Sequence, residues 1–309
     1  MKPIPIAIIG FGKIAEDQHV PSIRGNDKFT LVASSSRAGE GVARKFTDWR
    51  ELITSVDGLE AVAITTPPGP RFDIARECIA LGLHCLLEKP PTAGLAEIAD
   101  LEGAAKSRGV TLFTTWHAQH HSTVEAAGKA LEGKRIRSME IRWHEDVHKW
   151  HPGQQWIWQP GGFGVFDPGI NALSIAAKIF PGGLFVQSAE LEVPQNAQTP
   201  IAAEISFSSP EADGPLRASL DWRRTEGEEW TISLEASDGT TVRLEGGGAR
   251  LILNGKASDD DGPGEYPDIY RTFAGLIADR RSLVDVAPFR LVADSLLAGR
   301  TRTVDAVAM

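Results

Sequence analysis

Six successive apolar or proline positions, Ile4–Ile9 (IPIAII), run directly into Gly10-Phe11-Gly12-Lys13-Ile14-Ala15. A strand without a polar position has no face to show to water, so it belongs inside a parallel sheet covered on both sides by helices. Gly10 permits the tight turn out of that strand and Gly12 lets the main chain approach a pyrophosphate. Ala15 stands where a third glycine would ease the helix–strand contact. Lys13 and Ile14 head the helical segment that follows, whose free N–H groups and partial positive charge suit phosphate. The opening residues therefore predict a doubly wound, dinucleotide-binding unit.

The pattern repeats. Phe29–Ser34 and Ala61–Thr65 read as further strands, the second ending in Thr66-Pro67-Pro68. Gly69-Pro70 opens a helix with Ile74, Ala75, Cys78 and Ile79 as its apolar stripe and Gly82 as its stop. Leu83–Leu87 is a strand ending at Glu88-Lys89-Pro90, and Thr92 is placed to cap the next helix, with Leu95, Ile98, Leu101 and Ala105 inward and Gly109 beyond its end. Thr111–Thr115 is the last strand of this half. Strands alternating with helices of this length predict the α/β class, with residues 1–118 as a Rossmann domain on a doubly wound parallel sheet.

Glu88-Lys89-Pro90 brings a cation to the carboxyl edge of that sheet, where the reactive end of a cofactor lies in folds of this kind. Together with the glycine turn it describes a nicotinamide-dependent dehydrogenase. Gly10, Gly12, Lys13, Ile14, Thr66, Pro67, Pro68, Glu88 and Lys89 are the expected cofactor-binding residues. Where an NAD-specific site carries an acidic residue on the ribose hydroxyls, this chain reads Ala33-Ser34-Ser35-Ser36-Arg37, with no carboxylate before Glu40. Ser35, Ser36 and Arg37 leave room for a 2′-phosphate and can hold it by charge-assisted hydrogen bonds, so NADP is expected to bind well and NAD to be accepted.

With 309 residues and 42% hydrophobic content the chain can bury two cores. A net charge of −9 without a basic run argues against nucleic-acid or membrane partners. Met1 leads at once into the first strand and no apolar stretch reaches bilayer length, so a cytoplasmic protein is expected. Cys78 and Cys85 read as small buried apolar residues.

Beyond His117 the period changes. Val124–Leu131 is helical. Met139, Ile141 and Trp143 then alternate, as do Leu216, Ala218, Leu220 and Trp222, and the pairs Ile232/Leu234, Val242/Leu244 and Leu251/Leu253, with Gly246-Gly247-Gly248 as a turn. Residues 119–309 are thus predicted to form an α+β domain on a large, mainly antiparallel sheet, with helices near Tyr266–Arg280 and Pro288–Leu297, for substrate binding and oligomerisation.

Five of the eight tryptophans lie between Trp116 and Trp158, interleaved with histidine, carboxylate and amide groups. Indole faces beside hydrogen-bonding groups suit a sugar, with its apolar C–H faces and polar rim; a tryptophan-rich core or an interface between copies would use the same residues. His144, His148 and His151 beside Glu145 and Asp146 lack metal-ligand spacing, and no metal is expected. Asp167-Pro168-Gly169-Ile170-Asn171 opens a helix in which Asp167 and Asn171, at i and i+4, are neighbours; Asp before Pro is also what a helix N-cap looks like.

The glycine turn, Thr66-Pro67-Pro68, Glu88-Lys89-Pro90 and Gly161-Gly162-x-x-x-x-Asp167-x-Gly169 together resemble the Gfo/Idh/MocA oxidoreductases over the chain from Ile4 onward. The stretch Trp150–Asn171 and Thr115-Trp116-His117 look most like the aldose 1-dehydrogenases of that family. The resemblance implies NAD(P)-dependent oxidation of an aldopyranose such as D-galactose, L-arabinose or D-fucose at C1 to the aldonolactone, in a homo-oligomer (dimer or tetramer). It implies Lys89, Asp167 and Asn171 as catalytic residues, and His117, Glu145, Trp150, His151, Asp167 and Asn171 as sugar-binding residues. Most family members carry a histidine where this chain has Asn171. Asparagine is no base at neutral pH, so the base is Asp167 or Lys89. The preferred assignment gives that role to Asp167, with Lys89 as electrostatic stabiliser and Asn171 orienting the hydroxyl. Oxidation of a ring hydroxyl, as in inositol dehydrogenases, and a non-catalytic NADPH-binding regulator are the alternatives.

Overall fold

A computed structural model describes residues 2–308, in two compact units. One consists of the residues up to His117 with Pro263–Asp285, the other of Ala118–Gly262 with the residues from Val286 on.

The first unit is built on β1 (Ile4–Ile9), β2 (Phe29–Ser35), β3 (Arg44–Phe46), β4 (Ala61–Ile64), β5 (His84–Leu87) and β6 (Leu112–Thr114), in the order β3-β2-β1-β4-β5-β6. Every pairing is parallel. The strand order reverses beside β1, so the carboxyl ends of β1 and β4 frame the crevice in which such sheets bind their ligands. All four residues of β4 are buried, as are Ile6–Ile9 of β1, which is why these strands carry no polar alternation.

Pro263–Asp285 belongs to this unit and not to the domain predicted for residues 119–309. In the helix Glu265–Ala278, Tyr266, Ile269, Tyr270 and Phe273 are buried in one cluster with Ile6, Ile8, Ile23 and Phe113. Helical spacing shows that such a stripe is covered, not which sheet covers it. Two local expectations also shift. The helix after β4 runs Pro68–Ala80, starting ahead of Gly69-Pro70. Thr92 does not cap Leu95–Arg108: Gly94 occupies the cap position, and the Glu97 carboxylate accepts from the N–H groups of Ala93 and Gly94, both at 3.1 Å.

Among the described residues the second unit holds nine strands: β7 (Ile136–His144), β8 (Phe185–Pro194), β9 (Ala202–Ser208), β10 (Leu216–Asp221), β11 (Glu229–Ala236), β12 (Thr241–Glu245), β13 (Arg250–Leu253), β14 (Lys256–Asp259) and β15 (Gly299–Val304). Their order is β14-β13-β12-β11-β7-β10-β9-β8-β15. Most pairs are antiparallel; β7–β10 and β8–β15 are parallel. On β7 the buried residues Met139, Ile141 and Trp143 alternate with exposed Glu140 and Arg142, so one face is packed and the other wet. The helices Ser122–Leu131, Phe166–Ile179 and Ala287–Ala298 pack on one another and on this sheet.

Candidate active-site residues

The glycine turn is tied to both neighbouring strands. Gly10 N and Phe11 N donate to Ser35 O at 2.9 and 2.8 Å, and Thr65 Oγ1 donates to Gly10 O at 2.7 Å. Gly10 has φ +97°, and a Cβ there would lie 2.6 Å from both Thr66 N and Thr66 Cγ2. Only glycine fits. Gly12 differs: the nearest atom to its imagined Cβ is Gly10 O at 3.9 Å, so its bareness serves no packing inside the chain and leaves the main chain open to a ligand. Ala15 is fully buried, while Lys13 lies on the surface and is paired with Asp17. Beside the turn is a cavity of about 120 Å³ walled by Gly10, Ser35, Ser36, Arg37 and Thr66, to which the fold adds Thr47 and Trp49. The Ser36 hydroxyl closes its own loop through Glu40 N and Glu40 O. Arg37 is exposed. Thr66 Oγ1 is buried without a hydrogen-bond partner among the described residues. A bare main-chain turn, an unpartnered hydroxyl and an exposed guanidinium beside one cavity fit a dinucleotide.

Glu88, the residue before Lys89, faces inward. Its carboxylate, 4% exposed, turns into the core: Oε1 accepts from Tyr266 OH at 2.8 Å and lies 3.1 Å from His19 Nε2, and Oε2 accepts from Lys89 N at 2.9 Å. Both carboxylate oxygens are thus engaged inside the chain, and through Oε2 Glu88 anchors Lys89. Burial alone would raise its pKa, but the hydrogen bond and charge of His19, the charge of His117 and the Tyr266 hydroxyl bring it down to about 2. Burial and then the Glu88 charge push the Tyr266 and Tyr270 hydroxyls well up, so both stay protonated. His19 reaches this cluster from a wide π-type turn, Ala15–His19. His117 Nδ1 lies 3.0 Å from Glu265 Oε1, and its ring stacks on Tyr266 at 5.9 Å. Pro67 is the residue before the helix Pro68–Ala80, whose first turn contains Pro68.

In the second unit, Asp167 lies within the first turn of the helix Phe166–Ile179, two residues past the N-cap Val165, so it is not the cap. It is 5% exposed, and Asn171 follows one turn later, half-buried. That turn can lie so close to the sheet because residue 169 is glycine: a Cβ there would come within 2.6 Å of Leu220 Cδ1. His151 Nε2 is 3.4 Å from Asp167 Oδ2, and its Nδ1 faces Gln154 Oε1, which also accepts from Trp156 Nε1 at 3.1 Å. The His151 ring lies 5.4 Å from the fully buried Trp222. Trp222 Nε1 and Trp230 Nε1 donate to the two oxygens of the buried Glu145, at 3.3 and 3.0 Å. Trp150, 44% exposed, packs on Trp230 and donates to Glu228 Oε1 at 2.6 Å. Glu145, Trp150, His151 and Asp167 thus fall along one chain of contacts whose hubs, Trp222 and Trp230, were not singled out as site residues. The three neighbouring histidines diverge: His144 meets Ser219 Oγ at 2.9 Å, His148 is exposed and His151 faces Asp167. Among the described residues no group of three or more His, Cys, Asp or Glu could hold a metal, and no helix is long and apolar enough to cross a membrane.

Residues 4–116 match the model of an oxidoreductase family with an NAD-binding Rossmann fold, GFO_IDH_MocA. Over 308 residues, 99% of each chain, the sequence is 44% identical to galactose 1-dehydrogenase of Pseudomonas fluorescens. The crystal structure of a D-galactose-1-dehydrogenase from Rhizobium etli is similar with a TM-score of 0.93, 44% identity and coverage of 100% of this chain and 99% of that one. KijD10, a 3-ketoreductase of Actinomadura kijaniata solved with TDP-benzene and NADP, has the same fold at a TM-score of 0.80 and 15% identity, covering 98% of this chain and 99% of its own. The glycine turn framed by β1 and β4, the lysine at the end of β5 and the identity sustained along the whole chain agree: this protein belongs to the Gfo/Idh/MocA family of NAD(P)-dependent oxidoreductases.

Proposed function

We propose that this chain oxidises an aldopyranose at C1 to the aldonolactone, with NADP or NAD as acceptor and D-galactose, L-arabinose and D-fucose as substrates. The observation that carries the reading is the 44% identity to galactose 1-dehydrogenase over the full chain. The buried Asp167–His151 pair beside Trp222 supports it.

The bound nicotinamide supplies the hydride acceptor; the remaining chemistry belongs to the protein. Oxidation at C1 breaks the C1–H bond with its electron pair and the O–H bond of the anomeric hydroxyl, and makes the C1–O double bond of the lactone. Asp167 takes the hydroxyl proton, and His151, 3.4 Å from its second oxygen, steadies the carboxylate. Asn171, one helical turn on, orients the hydroxyl. The Lys89 ammonium stabilises the negative charge that grows on oxygen as its proton leaves. Interchanging Asp167 and Lys89 is the competing assignment. Trp150, His151 and Glu145, the last through the indoles it holds, shape the sugar subsite, and His117 belongs with them. Assembly as a homo-oligomer is part of the same reading, with mass by light scattering as its measure.

Purified protein, either cofactor and a panel of aldoses test this: reduced nicotinamide should appear at 340 nm and NMR should show a lactone. D-glucose, epimeric at C4, should be a poor substrate, because a polar group built for the axial hydroxyl is left unsatisfied, a penalty of about 1–3 kcal/mol. A ketone product would move the chemistry to a ring hydroxyl. No turnover with any aldose, while dinucleotide still binds, would end the proposal.

A further inference from the structure

The turn that carries Lys89 is held from two sides by buried groups to which the chemistry above gives no task. On one side is Arg71, 2% exposed, from the helix Pro68–Ala80. Its guanidinium donates to the main-chain carbonyls of Thr66, Glu88 and Pro90, so one planar cation bridges the loops that leave β4 and β5. On the other side the Glu88 carboxylate is fixed by Tyr266 and His19, and His19, wholly buried, is braced in turn by Tyr270 OH 2.7 Å from its Nδ1. Around Lys89 the polar main-chain atoms are committed in sequence. Glu88 N donates to Ile64 O at 3.1 Å, Glu88 O accepts from Arg71, Lys89 N donates to Glu88 Oε2, and Pro90 O accepts from Arg71. Ending two strands does not require a guanidinium and a carboxylate to be taken out of water, which is costly. Both are aimed at the same three residues.

We propose that Arg71 and the His19–Glu88–Tyr266 cluster form a two-sided clamp that fixes the position of Lys89. Arg71, His19 and Tyr266 are then positioning residues that act through the Glu88–Pro90 turn and touch neither sugar nor cofactor. The inference rests on the reading of Lys89 as the group that stabilises the reacting oxygen. The fork meets the three carbonyls from two nitrogens of one plane, Nη1 for Glu88 and Pro90 and Nη2 for Thr66, a fixed spread that the three donors on an ammonium's single nitrogen do not reproduce.

Full-length Lys89→Met, Arg71→Lys, Arg71→Ala and Tyr266→Phe, set against the unaltered chain, test it. Amide hydrogen exchange at Lys89, with no substrate or cofactor present, reads the clamp directly: protection should fall in Arg71→Lys and Tyr266→Phe while the peptides of β1 and β4 stay protected. In turnover, Arg71→Lys should lose about a hundredfold in kcat with KM for the sugar within about threefold, the signature of a misplaced catalytic group. Millimolar guanidinium should restore kcat at least about tenfold in Arg71→Ala and leave Lys89→Met unchanged. Should Arg71→Ala fail to fold, the other variants carry the test. Unaltered Lys89 protection in Arg71→Lys, or a loss confined to KM or to thermal stability, overturns the clamp. An unaltered chain that oxidises no aldose, or Lys89→Met with full kcat, overturns instead the role given to Lys89, and the exchange measurement still decides whether the clamp exists.

Discussion

Glu88→Gln removes a charge from the core while nearly preserving its shape, and its cost should depend on pH in a way fixed by the cluster around it. Burial pushes the Glu88 carboxyl up, but His19, His117 and Tyr266 more than offset this and leave it at about 2 against an ordinary 4.5. A carboxyl with a lower pKa folded than unfolded adds stability that is fully present above the unfolded value and lost as pH falls toward the folded one. The gap between 4.5 and about 2 corresponds to about 3 kcal/mol. About 2 kcal/mol of this should vanish between pH 5 and pH 3. Six of the eight tryptophans lie in the second unit, so fluorescence would report mainly on the wrong one. Denaturant-dependent hydrogen exchange in peptides from β1, β4 and β5 is the suitable assay. The difference in stability between the unaltered chain and Glu88→Gln should shrink as pH falls below 5; other acidic groups, Asp260 among them, titrate in both proteins and cancel. Parallel curves down to pH 3 would refute the depressed carboxyl. A difference that widens on acidification would mean that burial wins and that Glu88 is protonated in the fold.

The parts legible in the sequence are those whose cause is local. Gly10 could be read because a strand that must turn at once into a helix needs a positive φ, whatever else the chain does. Arg71 carries a signal in the sequence: it lies three and four residues before Ile74 and Ala75 on the inner stripe of its helix, so a charge stands on an apolar face. His19 left less, because the wide turn at Ala15–His19 changes the helical phase that would have placed it inside. Asp167 was recognisable as a residue at a helix start, and the burial that distinguishes it from an ordinary cap comes from Gly169 seating that turn against Leu220. The edge strands β14 and β15 expose nearly every residue, so no alternation marks them. Glu145 stood out as a carboxylate among tryptophans; that two indole N–H groups meet it depends on β10 and β11 flanking β7, a topology no local pattern encodes.

Arg37→Ala should weaken NADP about ten- to a hundredfold and NAD far less, since only NADP offers a 2′-phosphate to a charge-assisted bond; equal losses in titrations of both cofactors would make Arg37 structural. Gly10→Ala should cost about 1–3 kcal/mol from its φ alone, with further loss of dinucleotide affinity as Thr66 is displaced from a Cβ 2.6 Å from its nitrogen; an unchanged melting temperature and affinity would contradict the turn as described. Asp167→Asn keeps the volume at the head of its helix and removes the proton acceptor. If Asp167 is the base, kcat should fall by about 10²–10⁴ and the acidic limb of its pH profile should disappear, while KM for galactose moves little. If Lys89 is the base instead, the limb that vanishes belongs to Lys89→Met, and Asp167→Asn keeps a full pH profile at a reduced rate.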